Sequence, residues 1–293
     1  MNSYKYMKID AFTSEKSLGN PAACLYLKKG QSLAPEEMLA VAKQHKGFVM
    51  EMVFCSDVTE DGCRLVYYSS ECEVDFCGHG TVACMYTLIK DTPEFLGRRE
   101  ITIDTNKKGR LTIYNEIPKQ DAIYITAPDP VFIGTSLERA EIAGELGVNA
   151  ADISEERPID LIDAGLRTLI VPVAKLETEI NIFPDELGLK NFCEANGIDI
   201  ILVYSTEVSD GRNIAHTRVF APKFGYLEDP ATGSGNSAFA NYMLKNKMWD
   251  GTSASVEQGG SDRAFNIVKL STRGGKVLFG GGATTRIRGE YFV

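Results

Sequence analysis

The chain has 293 residues, of which 24% are charged and 44% hydrophobic, and its formal net charge is −9. This composition is ordinary for a folded globular protein, and the length suits two domains of about 100–150 residues each. The acidic charge disfavours nucleic-acid binding, because that function usually needs a basic face. We expect a cytoplasmic protein without a membrane partner, since no apolar run reaches about 20 residues and the first residues lack a signal-peptide core.

Short β-rich runs dominate the first half of the chain. A helix is predicted to begin at Pro35, because proline suits a first turn and the following Glu36 and Glu37 suit its positive end. A second helix is predicted from about Gly78 to Ile89. The predicted strands cover residues 4–13, 22–27, 49–55, 64–69, 101–104, 111–116 and 122–126. The pattern indicates a sheet around one central helix.

The second half repeats this pattern after Pro128-Asp129-Pro130, where closely spaced prolines stop strands. We therefore predict two domains, residues 1–127 and 128–293. Helices are expected from a capping box at Thr135-Ser136-Leu137-Glu138, from Pro184 to about Ala195, and after Gly233. Strands are expected at 159–173 as a pair, at 200–204 and at 213–220, followed by four closing strands. The predicted fold class is α+β, built from two similar halves.

One segment of the first half recurs in the second. Glu73-Val74-Asp75-Phe76-Cys77-Gly78-His79-Gly80 is matched 155 positions later by Glu228-Asp229-Pro230-Ala231-Thr232-Gly233-Ser234-Gly235. In each copy, Gly-x-Gly opens an apolar stretch with helical spacing. The start of a helix offers free backbone N–H groups and a positive dipole end, so each copy predicts an anion-binding corner. We expect the two corners to hold one carboxylated substrate.

Glu51 is the charged residue of an otherwise apolar strand, Val49-Met50-Glu51-Met52-Val53-Phe54-Cys55. A strand that is apolar on both faces is typical of a buried position. Burial disfavours the charged form of a carboxylate, which is one way to tune a Glu for proton transfer near neutral pH. The alternative is a Glu on an edge strand that points to water.

His79 and Asp229 are the other candidates for chemistry. His79 falls in the first turn of a helix, where the dipole opposes protonation, so a neutral ring is expected there. It is a better candidate than His45 at a helix end or His216 inside a strand, although a capping or core role is the structural alternative. Asp229 precedes the matching helix, and capping alone is a sufficient reason for an Asp at that place.

Metal and nucleotide sites are not expected. The seven cysteines form an odd number, and only Cys72 and Cys77 have the spacing of a zinc bite, with His79 as an extra ligand. We predict neither a bound metal nor a disulfide. The run Gly233-Ser234-Gly235-Asn236-Ser237-Ala238 matches a dinucleotide fingerprint, but no apolar strand precedes it.

Several motifs together resemble the PhzF-like isomerases of phenazine biosynthesis, which belong to a wider diaminopimelate epimerase-like group. They follow one another in order over nearly the whole chain. The matching pieces are Asp10-Ala11-Phe12, Gly19-Asn20-Pro21, Glu51-Met52-Val53-Phe54, Cys77-Gly78-His79-Gly80-Thr81, the run from Glu228 to Ser234, and Gln258-Gly259 with Arg263.

This resemblance implies two similar domains, each a curved, mostly antiparallel sheet or barrel around a central helix, with the active site between them. It also implies proton transfer without a cofactor, with Glu51 as general acid/base and His79 and Asp229 as further catalytic residues. The implied substrate-binding residues are Asn20, Cys77, Gly78, Gly80, Thr232, Gly233, Ser234 and Gly235. The expected ligand is a small, cyclic, carboxylated metabolite, and a homodimer is the expected assembly.

Two alternatives to this isomerase remain. The wider epimerase group uses two cysteines, and this chain has Thr232 where the second would stand, which disfavours a racemase or epimerase based on Cys77. A catalytically silent protein that only binds a small molecule is the other alternative. Deuterium uptake from solvent would separate both enzymes from the binding protein.

Overall fold

The computed structural model describes residues 2–260 and 264–293, which form strands and helices throughout. The strands are β1 Ser3–Ala11, β2 Asn20–Tyr26, β3 Glu51–Ser56, β4 Gly62–Tyr68, β5 Glu73–Val74, β6 Glu100–Thr105, β7 Gly109–Asn115, β8 Ile123–Thr126, β9 Val131–Phe132, β10 Asp160–Asp163, β11 Arg167–Pro172, β12 Ile200–Ser205, β13 Ala215–Phe220, β14 Glu228–Asp229, β15 Ala254–Gln258, β16 Asn266–Arg273, β17 Lys276–Gly281 and β18 Ala283–Phe292. The α-helices are α1 Pro35–Gln44, α2 Gly78–Asp91, α3 Pro93–Leu96, α4 Ile117–Gln120, α5 Arg139–Leu146, α6 Leu176–Ile180, α7 Glu186–Ala195 and α8 Gly233–Lys245.

The chain divides into two compact units, Met1–Thr126 with Gly280–Val293, and Ala127–Phe279. Strand β18 belongs to the first unit because it pairs antiparallel with β1, with Ser3 opposite Phe292. The units differ in this respect from the sequence-based division into 1–127 and 128–293. The reason is physical: a pairing between the two ends of the chain leaves no local signal in the sequence.

In the first unit, neighbouring strands pair in the order β18, β1, β2, β3, β4, β6, β7 and β8, with β5 also on β4. The pairs β2–β3 and β4–β6 are parallel, and the other pairs are antiparallel. Helix α2 is buried from Gly80 to Ile89 and packs against β1, β2, β3, β8 and β18. The unit is therefore a mostly antiparallel sheet wrapped around a central helix, as predicted.

The second unit has the same order of pairings. Strands β9, β10, β11, β12, β13, β15 and β16 follow one another, with β14 also on β13. The pairs β11–β12 and β13–β15 are parallel, as their counterparts are in the first unit. Helix α8 is buried over most of its length and packs against β10, β11, β12 and β16. The predicted fold class, α+β with two pseudo-repeat domains, is confirmed.

The helix starts follow the local sequence with two differences. Helix α1 begins at Pro35 as predicted. Helix α7 begins two residues later than Pro184, because the Asp185 carboxylate accepts a hydrogen bond from Gly188 N at 2.7 Å and caps the helix there. The expected capping box at Thr135 does not form, because the Thr135 hydroxyl instead accepts from Leu137 N, and α5 begins at Arg139.

Among the helices of the described residues, none has both the length and the apolar character needed to cross a membrane.

Candidate functional site

Glu51 is the first residue of β3, which lies between β2 and β4. The strand is therefore interior, which rules out the alternative of an edge strand. Its middle residues are buried, whereas Glu51 lies at the strand end and its side chain keeps 20% of its exposure. Ala22 is the parallel partner of Glu51, so this end of β3 lies next to the start of β2. The predicted substrate-binding residue Asn20 lies at that start and is fully buried.

Cys77 is the N-cap of helix α2. Its backbone is extended, and its Sγ accepts a hydrogen bond from Gly80 N at 3.2 Å. The Thr81 hydroxyl donates to the Cys77 carbonyl at 2.7 Å and is itself 2.7 Å from the Tyr67 hydroxyl. These contacts fix the turn, so the first N–H groups of α2 are presented at a defined place.

Glu51, Cys77 and His79 form one cluster at the start of α2. Glu51 Oε2 lies 3.1 Å from His79 Nε2, and Cys77 Sγ lies 3.5 Å from His79 Nδ1. One carboxylate oxygen of Glu51, the sulfur of Cys77 and one ring nitrogen of His79 all lie within 4.8 Å of one another. The Glu51–His79 distance is that of an ion pair, yet the buried Oε2 has no hydrogen-bond partner, so the two groups are close without being aligned.

The pKa of His79 is shifted in the direction opposite to the sequence-based expectation of a neutral ring. Burial lowers the pKa of His79, but the neighbouring Cys77 sulfur and Glu51 carboxylate outweigh it and raise this pKa well above the usual 6.5. Burial also raises the pKa of the Cys77 thiol above its usual 9.0, so this thiol is a poor base near neutral pH.

Gly80 allows the helix start to approach β3 closely. A Cβ atom at this residue would lie 2.8 Å from Val53 Cγ2 and 3.0 Å from Cys77 Sγ. Gly233 has a related role in the second unit, where a Cβ would lie 2.4 Å from the Phe279 ring. At both helix starts, glycine is needed because another side chain fills the space.

The second corner is a network around the N-cap of helix α8. The Thr232 hydroxyl donates to Asp229 Oδ2 at 2.6 Å, and so does not cap the helix itself. Thr232 N donates to Gln258 Oε1 at 2.9 Å, and Gln258 Nε2 donates to the Asp229 carbonyl at 2.8 Å. Thr232, not Asp229, is therefore the N-cap residue of α8. Asp229 instead accepts a hydrogen bond from the Thr232 hydroxyl.

Two residues that hold this corner were not predicted as site residues. Gln258 is fully buried and bridges both sides of the Asp229–Thr232 turn. Arg218 is buried on β13, where its guanidinium forms a two-pronged ion pair with Glu228, the neighbour of Asp229. Arg218 also donates to the carbonyl of Ile182 at 2.6 Å. The signal for Arg218 was a charged residue in a buried strand, and the signal for Gln258 was its place in the matching Gln258-Gly259 motif.

Strand register shows which residues correspond in the two units. In the first, Met52 pairs with Tyr68, which pairs with Glu73. In the second, Ile201 pairs with Phe220, which pairs with Glu228. The residue before Met52 is Glu51 and the residue before Ile201 is Ile200, so these two occupy matching positions. Across the helix starts, Cys77 corresponds to Thr232 and His79 to Ser234.

Comparison with known proteins identifies the family. A family model described as "Phenazine biosynthesis-like protein" matches residues 9–289. The chain belongs to this PhzC-PhzF family. The chain of a PhzF-family phenazine biosynthesis protein from Bacillus anthracis has a structure similar to it, with 26% identity, a TM-score of 0.85 and complete coverage of both chains.

Several curated relatives of this PhzF-family chain are named isomerases. The uncharacterized isomerase YfhB of Bacillus subtilis is 28% identical over 94% of both sequences. Trans-2,3-dihydro-3-hydroxyanthranilate isomerase of Pseudomonas fluorescens is 24% identical, over 95% of this chain and 98% of that sequence. The resemblance predicted from the motifs is confirmed, and so is the isomerase class.

The individual roles of the site residues in this PhzF-family chain stay predictions. The structure brings Glu51, Cys77 and His79 together in the first unit, and Asp229, Thr232 and Gln258 in the second. Gly78 and Gly80 lie in the first turn of α2, as Gly233, Ser234 and Gly235 lie in that of α8. Arg263, which is part of the matching motifs, lies outside the described residues.

Proposed function

We propose that this chain is an isomerase that shifts a proton between two carbons of a small, cyclic, carboxylated metabolite without a cofactor. Glu51 is the general acid/base. The observation that carries this proposal is the 3.1 Å approach of Glu51 Oε2 to His79 Nε2 at the start of α2. It joins a carboxylate that can take a proton to a cation that can stabilise the anion left behind.

The first step removes a proton from a carbon of the substrate. The C–H bond breaks, an O–H bond forms on Glu51, and the electron pair delocalises into the conjugated system of the substrate. The His79 imidazolium and the first N–H groups of α2 stabilise the negative charge that develops, since both are fixed in place before the reaction.

The second step returns a proton from Glu51, whose O–H group exchanges with solvent before the transfer. Protonated Glu51 delivers it to a different carbon, the O–H bond breaks, and the carboxylate returns to its starting state. No electron is gained or lost, so the reaction itself requires no redox partner. Glu51 is suited to this role because it lies at a strand end with part of its side chain exposed, within reach of a ligand.

The asymmetry of the internal repeat favours one proton carrier over two. The counterparts of Glu51, Cys77 and His79 are Ile200, Thr232 and Ser234, whose side chains do not titrate near neutral pH. A two-base epimerase needs a second acid–base group facing the first. The raised pKa of the Cys77 thiol also counts against a mechanism that begins with its thiolate.

The class of substrate is proposed from the donors and from the family. The two helix starts, α2 and α8, each present backbone N–H groups, which suit a carboxylate. The Pseudomonas fluorescens relative is named for the isomerisation of a hydroxyanthranilate, a cyclic carboxylate, and supports this class. Asp229 and Ser234 are proposed to orient the substrate.

A screen of small cyclic and amino carboxylates in D₂O, followed by NMR, tests the proposal. An isomerase of this kind produces a rearranged product, with deuterium at the carbon that receives the proton. Deuterium at an unmoved carbon with inverted configuration would instead identify a Cys77-based epimerase. Saturable binding of a carboxylate with neither exchange nor product would identify a silent binding protein.

A further inference from the structure

The Glu51, Cys77 and His79 cluster combines three ligand types: one carboxylate, one thiol and one imidazole. We propose that this cluster is a reversible binding site for a borderline transition-metal ion, Zn²⁺ or Co²⁺, with one ion per chain. The ligand set differs from the Cys72, Cys77 and His79 set that sequence spacing suggested. Cys72 is exposed and lies outside the cluster.

Two of the three distances between ligand atoms are near those of a tetrahedral centre. Zinc bonds of about 2.3 Å to sulfur and about 2.0 Å to nitrogen or oxygen place neighbouring ligand atoms about 3.3–3.6 Å apart in a tetrahedron. Here Cys77 Sγ lies 3.8 Å from His79 Nε2, and His79 Nε2 lies 3.1 Å from Glu51 Oε2. Because Cys77 Sγ also lies 3.5 Å from His79 Nδ1, metal binding requires a rotation of the imidazole that directs Nε2 at the ion.

Glu51 supplies an independent indication of a ligand. Its Oε2 atom is buried and has no hydrogen-bond partner, although it faces the imidazole. A buried oxygen without a partner is destabilising, so coordination of this atom to a cation is favourable. The Cys77 thiol and the His79 imidazolium each give a proton to solvent as the metal–sulfur and metal–nitrogen bonds form, and three protein ligands leave a fourth position open.

Selectivity follows from the donor atoms. Thiolate and imidazole ligands favour Zn²⁺ and Co²⁺, whereas Mg²⁺ and Ca²⁺ favour all-oxygen sites. The internal repeat also limits the stoichiometry. The matching positions in the second unit are Ile200, Thr232 and Ser234, which lack the thiol, imidazole and carboxylate needed for a second site.

Co²⁺ titration of the chelator-treated, reduced full-length protein tests the site, since coordination of sulfur to Co²⁺ gives a near-ultraviolet charge-transfer band. We expect this band to saturate at one ion per chain and to be displaced by Zn²⁺ but not by Mg²⁺. Cys77→Ser should remove the band and weaken Co²⁺ binding at least about tenfold. Loss of a residue that only hydrogen-bonds to a metal ligand already lowers metal affinity by about that factor. Glu51→Gln should weaken binding while keeping the band.

Cys72→Ser is the matched control, because it removes an exposed thiol outside the cluster and leaves all three proposed ligands in place. It should bind Co²⁺ as the unmodified protein does. Loss of the band in Cys72→Ser, its persistence in Cys77→Ser, or its complete absence from the unmodified protein would each overturn the proposal. Circular dichroism confirms folding, and Cys77→Ala serves as a second variant if Cys77→Ser does not fold.

One consequence rests on the proposed function. A metal that occupies Glu51 and His79 removes the proton carrier and its cationic partner, so Zn²⁺ should stop isomerisation in proportion to site occupancy, and a chelator should restore it. Metal binding is measured without substrate. If Co²⁺ binds as expected but Zn²⁺ leaves turnover unchanged, the roles proposed for Glu51 and His79 are wrong while the metal site stands.

Discussion

Glu51 and Ile200 occupy matching positions in the two halves of the internal repeat. Glu51 is the first residue of β3 and lies opposite Ala22 of the parallel strand β2. Ile200 is the first residue of β12 and lies opposite Thr168 of the parallel strand β11. The halves therefore share one backbone frame but differ in the side chain that could carry a proton. This difference, more than the Gly-x-Gly motif that both halves share, indicates where the chemistry is located.

Replacement of Glu51 by Gln should separate binding from proton transfer. The amide keeps the size of the side chain but cannot titrate, so deuterium exchange should fall by about 10²–10⁴-fold while substrate binding survives. The measurement is exchange followed by NMR together with a binding titration. Cys77→Ala is the comparison, and it should cost much less, because no second thiol completes a two-base pair.

The reverse result would contradict the mechanism. If Cys77→Ala abolishes exchange and Glu51→Gln leaves it intact, the proton passes through sulfur, and the chain is a cysteine-based epimerase.

The pH dependence of turnover should report His79. Its pKa is raised well above 6.5, so the imidazolium persists at neutral pH, and turnover should fall on the alkaline side as His79 loses its proton. The contribution of the Glu51–His79 ion pair to the free energy of unfolding should also fall as the pH rises. It should be fully present below about pH 6.5 and be lost as the pH rises through the folded-state pKa.

His79→Gln is the variant for this test, because it keeps a hydrogen-bonding side chain without a titrating ring. Its pH–rate profile should lack the alkaline limb, and its unfolding free energy should lack the corresponding pH dependence. An unchanged alkaline limb in His79→Gln would assign that limb to another group.

The sequence was sufficient for the features that depend on local spacing. The repeated segment predicted two similar halves, and Gly-x-Gly predicted the starts of α2 and α8, because small residues and apolar helical spacing act over a few positions. The approach of Glu51 to His79 could not be predicted in this way. It depends on the register of β3 between β2 and β4, and together with Cys77 it raises the pKa of His79.

Long-range pairings were inaccessible for the same reason. Nothing near Ser3 indicates that β1 pairs with β18 at the other end of the chain. Gln258 belongs to one of the matching motifs, but the contacts of its amide with Thr232 and Asp229 depend on the fold. A contact with a fold-dependent neighbour leaves no pattern along the sequence.

Glu179 should make the protein less stable as the pH rises. It is fully buried, its Oε1 lies 3.0 Å from His216 Nδ1, and burial raises the pKa of Glu179 from 4.5 to about 7. The unfolded chain then loses this proton before the folded chain does, so the free energy of unfolding should fall between about pH 4.5 and pH 7 and level off above it. The loss is up to about 3 kcal/mol, from 1.36 kcal/mol per pKa unit.

Glu179→Gln keeps the shape of the side chain and removes the titration. Urea unfolding at pH 5 and at pH 7.5 should show that the variant gains stability relative to the unmodified protein at the higher pH. Equal pH dependence in both proteins would show that Glu179 ionises in the folded state as it does in the unfolded chain.

Gln258 should hold Asp229 in its working position. Its amide oxygen accepts from Thr232 N and from Asn236 Nδ2 at 2.7 Å, while its amide nitrogen donates to the Asp229 carbonyl. Gln258→Leu keeps much of the volume but removes these partners from buried groups, so the free energy of unfolding should fall by about 1–3 kcal/mol for each group left unpaired. Turnover should fall as well, because the Asp229–Thr232 turn loses the side chain that bridges it.

Asn241→Leu is the control. Asn241 lies on α8, whose start Gln258 contacts, and it donates one buried hydrogen bond to the Ser237 carbonyl within that helix. It should lower stability without a matching loss of turnover. Urea unfolding and deuterium exchange on both variants give the comparison. A folded Gln258→Leu protein with full turnover would show that the bridge serves stability alone, and that the precise placement of Asp229 is not needed for the reaction.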